Sequence, residues 1–217
     1  MRYKLAIFDM DGTILDTLED LKNCLNYSLH HNGYPERSLN EVRRFVGNGI
    51  RKLVERGVPE NTPIEQIDKV FADFQVYYKK HCTDLTKPYD GIPELIQQLR
   101  EAGIHTAVVS NKIDFAVQDL VEHFFYGLFD VAVGDREGIA KKPAPDSVFT
   151  VLNELHIEKK DAVYIGDSDV DIATAKNAGL DSIIVEWGFR DREFLEEKGA
   201  KVFAKKPKDI LTLLDIG

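Results

Sequence analysis

Apolar positions along the chain follow two periods, and the switch between them divides it. Leu5-Ala6-Ile7-Phe8 is a short unbroken apolar run, as expected of a strand buried on both faces of a parallel sheet. After Thr17 the spacing becomes helical, with Leu18, Leu21, Leu25 and Leu29 recurring on one face. Ser38-Leu39-Asn40-Glu41 has the form of a capping box and predicts a second helix. Gly47-Asn48-Gly49 interrupts it, and a third helix is expected from Ile50 to about Arg56. Thr62-Pro63-Ile64-Glu65 reads as another capping box, with proline in the first turn where its missing N–H costs little. The helix it starts is expected to reach about His81. Residues 16–87 therefore read as a helical insert without a convincing strand.

The remainder alternates. Helices are expected over Pro93 to Ala102, Asp114 to Phe124, Pro145 to Leu155, Asp171 to Ala178 and Pro207 to Leu214. Between them lie β-rich runs at Ile104 to Val109, Phe129 to Val133, Ala162 to Ile165, Ser182 to Val185 and Val202 to Ala204. Strands separated by helices imply parallel pairing with right-handed crossovers. The expectation is an α/β fold: a Rossmann-like parallel sheet flanked by helices, formed by residues 1–15 and 88–217, with the helical domain of 16–87 inserted.

Ligands in such sheets bind beyond the carboxyl ends of the strands, and there the polar residues collect. The first strand runs into Asp9-Met10-Asp11-Gly12-Thr13, another into Ser110-Asn111-Lys112, and a third into Gly166-Asp167-Ser168-Asp169-Val170-Asp171. Lys141-Lys142-Pro143 precedes a helix. Several carboxylates converging at one edge repel one another in a partly buried site. A hard divalent cation relieves this, and an all-oxygen set of ligands selects Mg²⁺. A carboxylate can act as nucleophile in phosphoryl transfer. A second acid two residues later can protonate the leaving oxygen and then deprotonate water. Gly12 lets the backbone turn sharply, so that its amide and that of Thr13 can point at phosphate oxygens.

Composition narrows the partners. The 217 residues are 43% hydrophobic and 30% charged, an ordinary globular composition. A net charge of −9 argues against nucleic acid or an anionic membrane as a partner. The two cysteines, Cys24 and Cys82, have no metal-ligand spacing and read as buried thiols, and the six histidines form no zinc-type arrangement. The N-terminal run is broken by acids, unlike a signal peptide, and no stretch approaches the ~20 apolar residues that cross a bilayer. A cytoplasmic location is expected.

At these residues the sequence resembles the haloacid dehalogenase-like superfamily of phosphatases along essentially the whole chain. Phe8-Asp9-Met10-Asp11-Gly12-Thr13 is similar to its first motif, Ser110 after Val108-Val109 to the second, Lys142 before Pro143 to the third, and Gly166-Asp167-Ser168 with Asp171 to the fourth. The resemblance implies Asp9 as nucleophile and Asp11 as general acid/base, its backbone carbonyl also touching the metal. It implies Ser110 and Asn111 as phosphate-binding groups, and Lys142 as the lysine that steadies nucleophile and phosphate. Mg²⁺ would be held by Asp9, Asp11 and Asp167, with Asp171 supporting it directly or through another group. The insert sits where family members carry a helical cap, which closes over the site as lids do. Phe45-Val46-Gly47-Asn48-Gly49, followed by Leu53 and Arg56, resembles the cap of phosphoglycolate phosphatases, as does Ser110-Asn111-Lys112.

Other readings stay open at single residues. Ser110 and Asn111 could cap a helix, and Gly47 and Gly49 could merely end one helix and begin the next. Asn48 belongs to the same loop. Arg51 could reach a substrate carboxylate or second phosphate, or lie in solvent. Trp187 could wall the site or fill core. The leading expectation is hydrolysis of a small phosphorylated metabolite by a monomer or homodimer, with 2-phosphoglycolate preferred. Inorganic pyrophosphate, a sugar or nucleotide monophosphate, a β-phosphoglucomutase-like transfer and a protein that has lost catalysis are the alternatives.

Overall fold

In the computed structural model, which describes residues 3–216, the first apolar run forms β1 (Leu5–Phe8), buried along its length. A two-residue strand, β2 (Leu15–Asp16), leads into four helices: α1 (Leu18–His31), α2 (Leu39–Phe45), α3 (Ile50–Gly57) and α4 (Ile64–His81). The chain returns through β3 (Lys87–Pro88) and then alternates: α5 (Ile92–Glu101), β4 (His105–Ile113), α6 (Asp114–Phe125), β5 (Val131–Asp135), α7 (Asp146–Leu155), β6 (Ala162–Gly166), α8 (Asp169–Ala178), β7 (Asp181–Val185), α9 (Arg192–Glu197), β8 (Phe203–Ala204) and α10 (Pro207–Leu213).

Six strands form one all-parallel sheet in the order β5-β4-β1-β6-β7-β8. Side-chain alternation along β1 feeds two cores. Ala6 and Phe8 face α5, α6 and α10, packing with Ile92, Leu95, Leu120 and Ile210. Leu5 and Ile7 face α7 and α8, packing with Val148, Val151 and Ala175. With β1 central, Asp9 leaves the sheet between the ends of β4 and β6, where the other polar strand ends also lie.

The four helices enclose an apolar cluster of their own. Leu21, Leu25 and Leu29 of α1 meet Val42 of α2, Leu53 and Val54 of α3, and Val70, Phe74 and Tyr78 of α4. Ala116 and Phe189 join this cluster from the sheet side. Burying a leucine or phenylalanine of this kind contributes about 2–3 kcal/mol by area. Cys24 and Cys82 are free, buried thiols within it, and burial pushes the Cys24 thiol up to about 12. Where the chain enters and leaves the helical segment, β2 and β3 pair antiparallel, Leu15 opposite Pro88 and Asp16 opposite Lys87. No helix among the described residues is long and apolar enough to cross a membrane.

Three local expectations are corrected. Ser38 and Glu41 form the capping box, but Thr62 does not: its hydroxyl turns back to donate to the Pro59 carbonyl at 2.7 Å, and α4 begins after Pro63 without a side-chain cap. β4 does not stop at Val109. It runs to Ile113 through a register shift against β5, so Ser110-Asn111-Lys112 lies in an irregular strand extension. α8 starts at Asp169 because Ser168 and Asp171 form a capping box of their own.

Candidate active site

The strand ends and the helical segment enclose one pocket. Asp9, Asp11, Ser110, Asn111, Lys142 and Asp167 line it from the sheet, with Lys112, Ser168, Phe189 and Arg190. Leu21, Val46, Gly47, Gly49, Ile50 and Leu53 line it from the helical side.

Lys142 is held among the carboxylates. Its ammonium lies 2.8 Å from Asp9 Oδ1, 2.8 Å from Asp171 Oδ1 and 3.0 Å from the Tyr164 hydroxyl, which accounts for its three protons. Burial opposes this ammonium, but Asp171 and Asp9 outweigh it and hold the Lys142 pKa well above the ordinary lysine range. Asn111 places the lysine's backbone: its Oδ1 accepts from Lys142 N at 2.8 Å and its Nδ2 donates to Lys142 O at 3.0 Å. The same Nδ2 lies 3.2 Å from the Gly47 carbonyl, touching the helical segment. Ser110 Oγ faces the pocket and accepts from Lys112 N at 3.3 Å.

The acids take distinct places. Asp171 is engaged by protein donors on both oxygens: Oδ2 accepts from Ser168 Oγ at 2.6 Å, Ser168 N at 3.0 Å and Asp167 N at 3.2 Å, while Oδ1 faces Lys142. These bonds brace the turn that carries Asp167. Asp167 accepts from Thr13 Oγ1 at 3.2 Å and from Phe189 N at 2.7 Å. Gly12 (φ +85°) approaches so closely that a Cβ there would lie 2.4 Å from Asp167 Oδ2. Thr13 and Gly12 thus shape the turn around Asp167.

Asp9, Asp167 and Asp171 bring one carboxylate oxygen each to within 4.8 Å of one another, and all three are buried. Burial first, and the Asp171 charge second, push Asp9 up to about 7, against the counter-effect of Lys142. Burial and the charges of Asp171 and Asp9 likewise hold Asp167 well above the usual carboxylate range. Lys142 alone leaves this cluster short of positive charge. Three carboxylates facing one ammonium lack two countercharges, which fits a hard divalent cation.

Several expected residues stand apart. Arg51 is not among the pocket-lining residues: it pairs with Glu55 at 3.1 Å and Asp68 at 2.6 Å and stacks over Phe71. Glu55 of its own helix and Asp68 of α4 have claimed its charge. Asn48 accepts from Arg56 at 2.7 Å and lines a neighbouring cleft instead. Trp187 packs against the sheet core and donates from Nε1 to the Thr13 carbonyl at 3.0 Å.

Beyond Trp187, the sequence reading passed over the residues that follow β7. Gly188, Phe189 and Arg190 follow that strand; a Cβ on Gly188 would lie 2.2 Å from Asp167 Cβ, and Arg190 donates to the Arg43 and Val46 carbonyls at 2.7 Å each. The available signal was a glycine just past a strand of a parallel sheet. Lys112 was passed over too. Its ammonium lies 3.0 Å from Asp11 Oδ1 and hydrogen-bonds the Tyr78 hydroxyl of α4. Burial works against that charge, and Asp11 and Tyr78 outweigh it, raising the Lys112 pKa.

Comparison with known proteins agrees with this geometry. Residues 6–185 match the family model of haloacid dehalogenase-like hydrolases. A phosphoglycolate phosphatase of Aquifex aeolicus is 30% identical, over 98% of this chain and 97% of that protein. An N-acetylmuramic acid 6-phosphate phosphatase of Pseudomonas aeruginosa is 29% identical, over 99% and 96%. A crystal structure from Lactobacillus delbrueckii subsp. bulgaricus superposes with a TM-score of 0.93 at 39% identity, covering 97% of each chain. The motif-bearing strand ends, the sheet order and a match spanning most of the chain agree: this protein belongs to the haloacid dehalogenase-like hydrolases.

Proposed function

We propose that the protein is a Mg²⁺-dependent phosphatase that hydrolyses a small cytoplasmic phosphate monoester through an aspartyl-phosphate on Asp9. The observation that carries this reading is the meeting of Asp9, Asp11, Ser110, Lys142 and Asp167 in a single pocket. Asp9 and Asp167 carboxylates and the Asp11 backbone carbonyl would hold Mg²⁺, with Asp171 bracing Asp167. Bound there, the cation supplies screening between the attacking carboxylate and the phosphate.

The chain's own groups carry the proton and phosphoryl transfers. An Asp9 oxygen attacks phosphorus as the bond to the leaving oxygen breaks, and protonated Asp11 gives its proton to that oxygen. Asp11, now a carboxylate, takes a proton from water as the water attacks the phosphoryl group. Phosphate leaves, Asp9 is regenerated, and Asp11 is again protonated. Lys142 and the Ser110 hydroxyl neutralise charge gathering on the phosphoryl oxygens. The amides of Gly12 and Thr13, expected to meet the same anion, instead close the turn by donating to the Leu15 and Met10 carbonyls at 2.9 and 3.2 Å.

2-Phosphoglycolate is the preferred substrate. The substrates named for the Aquifex and Pseudomonas relatives are both phosphate esters of carboxylic acids. Arg190 lines the pocket; its two terminal nitrogens donate to backbone carbonyls and its Nε pairs with Asp169 only at 3.7 Å, which leaves a cation without a close carboxylate partner beside the substrate. Gly47 and Gly49 line the pocket from the helical side. The test is phosphate release from 2-phosphoglycolate, N-acetylmuramic acid 6-phosphate, pyrophosphate, hexose phosphates and nucleoside monophosphates, with Mg²⁺ and with EDTA. Mg²⁺-dependent release led by a phosphorylated carboxylic acid is expected. Metal-independent release overturns the mechanism, and a lead by pyrophosphate or a hexose phosphate overturns the substrate class.

A further inference from the structure

Lys112 is a buried ammonium that the chemistry above does not use. Taking such a charge out of water costs several kcal/mol unless partners replace the hydration. Its partners come from two sides. Asp11 of the β1 turn lies 3.0 Å away, and the Tyr78 hydroxyl reaches down from α4, thirty-four residues earlier in the chain. Tyr78 is itself buried, its ring stacked on Phe74 within the helical cluster at 5.3 Å and its face 5.0 Å from the ammonium. Asp11, by contrast, is only partly buried as a residue, and its buried Oδ1 has no hydrogen-bond partner to aim it apart from the ammonium beside it.

We propose that Lys112 and Tyr78 are positioning residues: Tyr78 of the helical segment fixes the Lys112 ammonium, which in turn aims the Asp11 carboxyl at the leaving oxygen. The pair ties the placement of the acid to the seating of α4. If α4 moves away, Lys112 loses the hydroxyl and admits water, and Asp11 loses its fixed neighbour. The inference rests on the reading of Asp11 as the general acid.

The test compares leaving groups. kcat/KM reports every step through the first phosphoryl transfer, where an alkyl leaving oxygen needs a proton and 4-nitrophenolate needs little. Lys112→Met and Tyr78→Phe are assayed on 2-phosphoglycolate and on 4-nitrophenyl phosphate, with Asp11→Asn as reference. Lys112→Met is expected to lose about 10-fold more kcat/KM on the alkyl ester than on the aryl ester, part of the 10²–10⁴-fold worth of general acid catalysis. Tyr78→Phe keeps the packed ring and is expected to lose in the same direction by about 3-fold. Lys112→Arg is expected to restore part of the alkyl rate, which a merely structural defect would not predict. Equal losses on both esters, or no loss, in Tyr78→Phe and Lys112→Met overturn the positioning role. If Asp11→Asn itself shows no preference between the esters, the acid/base reading fails first. Should Lys112→Met fail to fold, Tyr78→Phe alone decides.

Discussion

At the scale of single residues, the site is a balance of buried charge. Asp9 carries a pKa raised to about 7, with burial the main cause. A group raised in the folded state binds its proton more tightly folded than unfolded, so its ionised form weighs against folding above about pH 4. Asp9→Asn removes that charge. Expected outcomes are turnover reduced at least about 10³-fold and, in EDTA at pH 8, a melting temperature above that of the wild type. An unchanged rate overturns Asp9 as nucleophile. Gly188 is the second residue-scale case. An added Cβ would overlap Asp167 Cβ at 2.2 Å, so either the β7 loop or Asp167 must shift. Gly188→Ala is expected to weaken Mg²⁺ binding roughly 10-fold, as loss of a ligand's support does, and titration calorimetry measures it. The acidic motif at Asp167 was legible because a strand-like run ends in it. Gly188 was not, because nothing local says that β7 ends beside β6.

At the scale of elements, the joint between helices and sheet is fastened by Asp20. Its buried carboxylate accepts from Leu85 N at 3.0 Å, Thr86 N at 2.8 Å and the Thr86 hydroxyl at 2.7 Å, tying the first turn of α1 to the returning chain. Removing it strands buried donors at about 1–3 kcal/mol each. Asp20→Ala should therefore lower stability by about 3 kcal/mol, read as an earlier midpoint in urea, whereas an unchanged midpoint would mean water replaces the carboxylate. Helical periodicity made α1 to α4 legible, since each presents one apolar stripe. The strand pair β2 and β3 was not, because two-residue strands have no period and exist only where distant segments meet. The extension of β4 was hidden for a related reason: Ser110-Asn111-Lys112 is polar, and the strand continues only through the shifted pairing of Ile113 with Asp135 of β5.

At the scale of the molecule, the acidic cluster couples stability to pH and to Mg²⁺. Asp9 and Asp167 are both raised, so the metal-free protein is expected to lose stability as pH climbs from about 4 to about 7. A cation restores what their ionisation costs. At pH 7.5, Mg²⁺ at about 100 times its dissociation constant should raise the melting temperature by about 5 °C or more. At pH 5, where Asp9 is protonated, the gain should shrink to a fraction of that. A Mg²⁺ shift equal at both pH values would show that the cation binds elsewhere. Arg190 bears on the same scale, since it joins the β7 loop to two carbonyls of the helical segment. Arg190→Ala is expected to raise KM for a phosphorylated carboxylic acid about 10-fold with a smaller effect on 4-nitrophenyl phosphate, measured by initial rates.

The amino-acid order alone marked the six sheet strands and every helix but α9, though not β2 or β3, and showed that acids, a hydroxyl and a lysine follow the strands. Short-range periodicity and residue chemistry carry that information. It also led to the family, because the motifs are contiguous in sequence. Which side chains face one another was decided by tertiary structure. Arg51 looked available until Glu55 and Asp68 were seen beside it. Lys112 was one more polar residue after a strand until Asp11 and Tyr78 closed on it. Contacts of this kind join residues tens of positions apart, and the packing of helix on sheet, which no local pattern encodes, brings them within hydrogen-bonding distance.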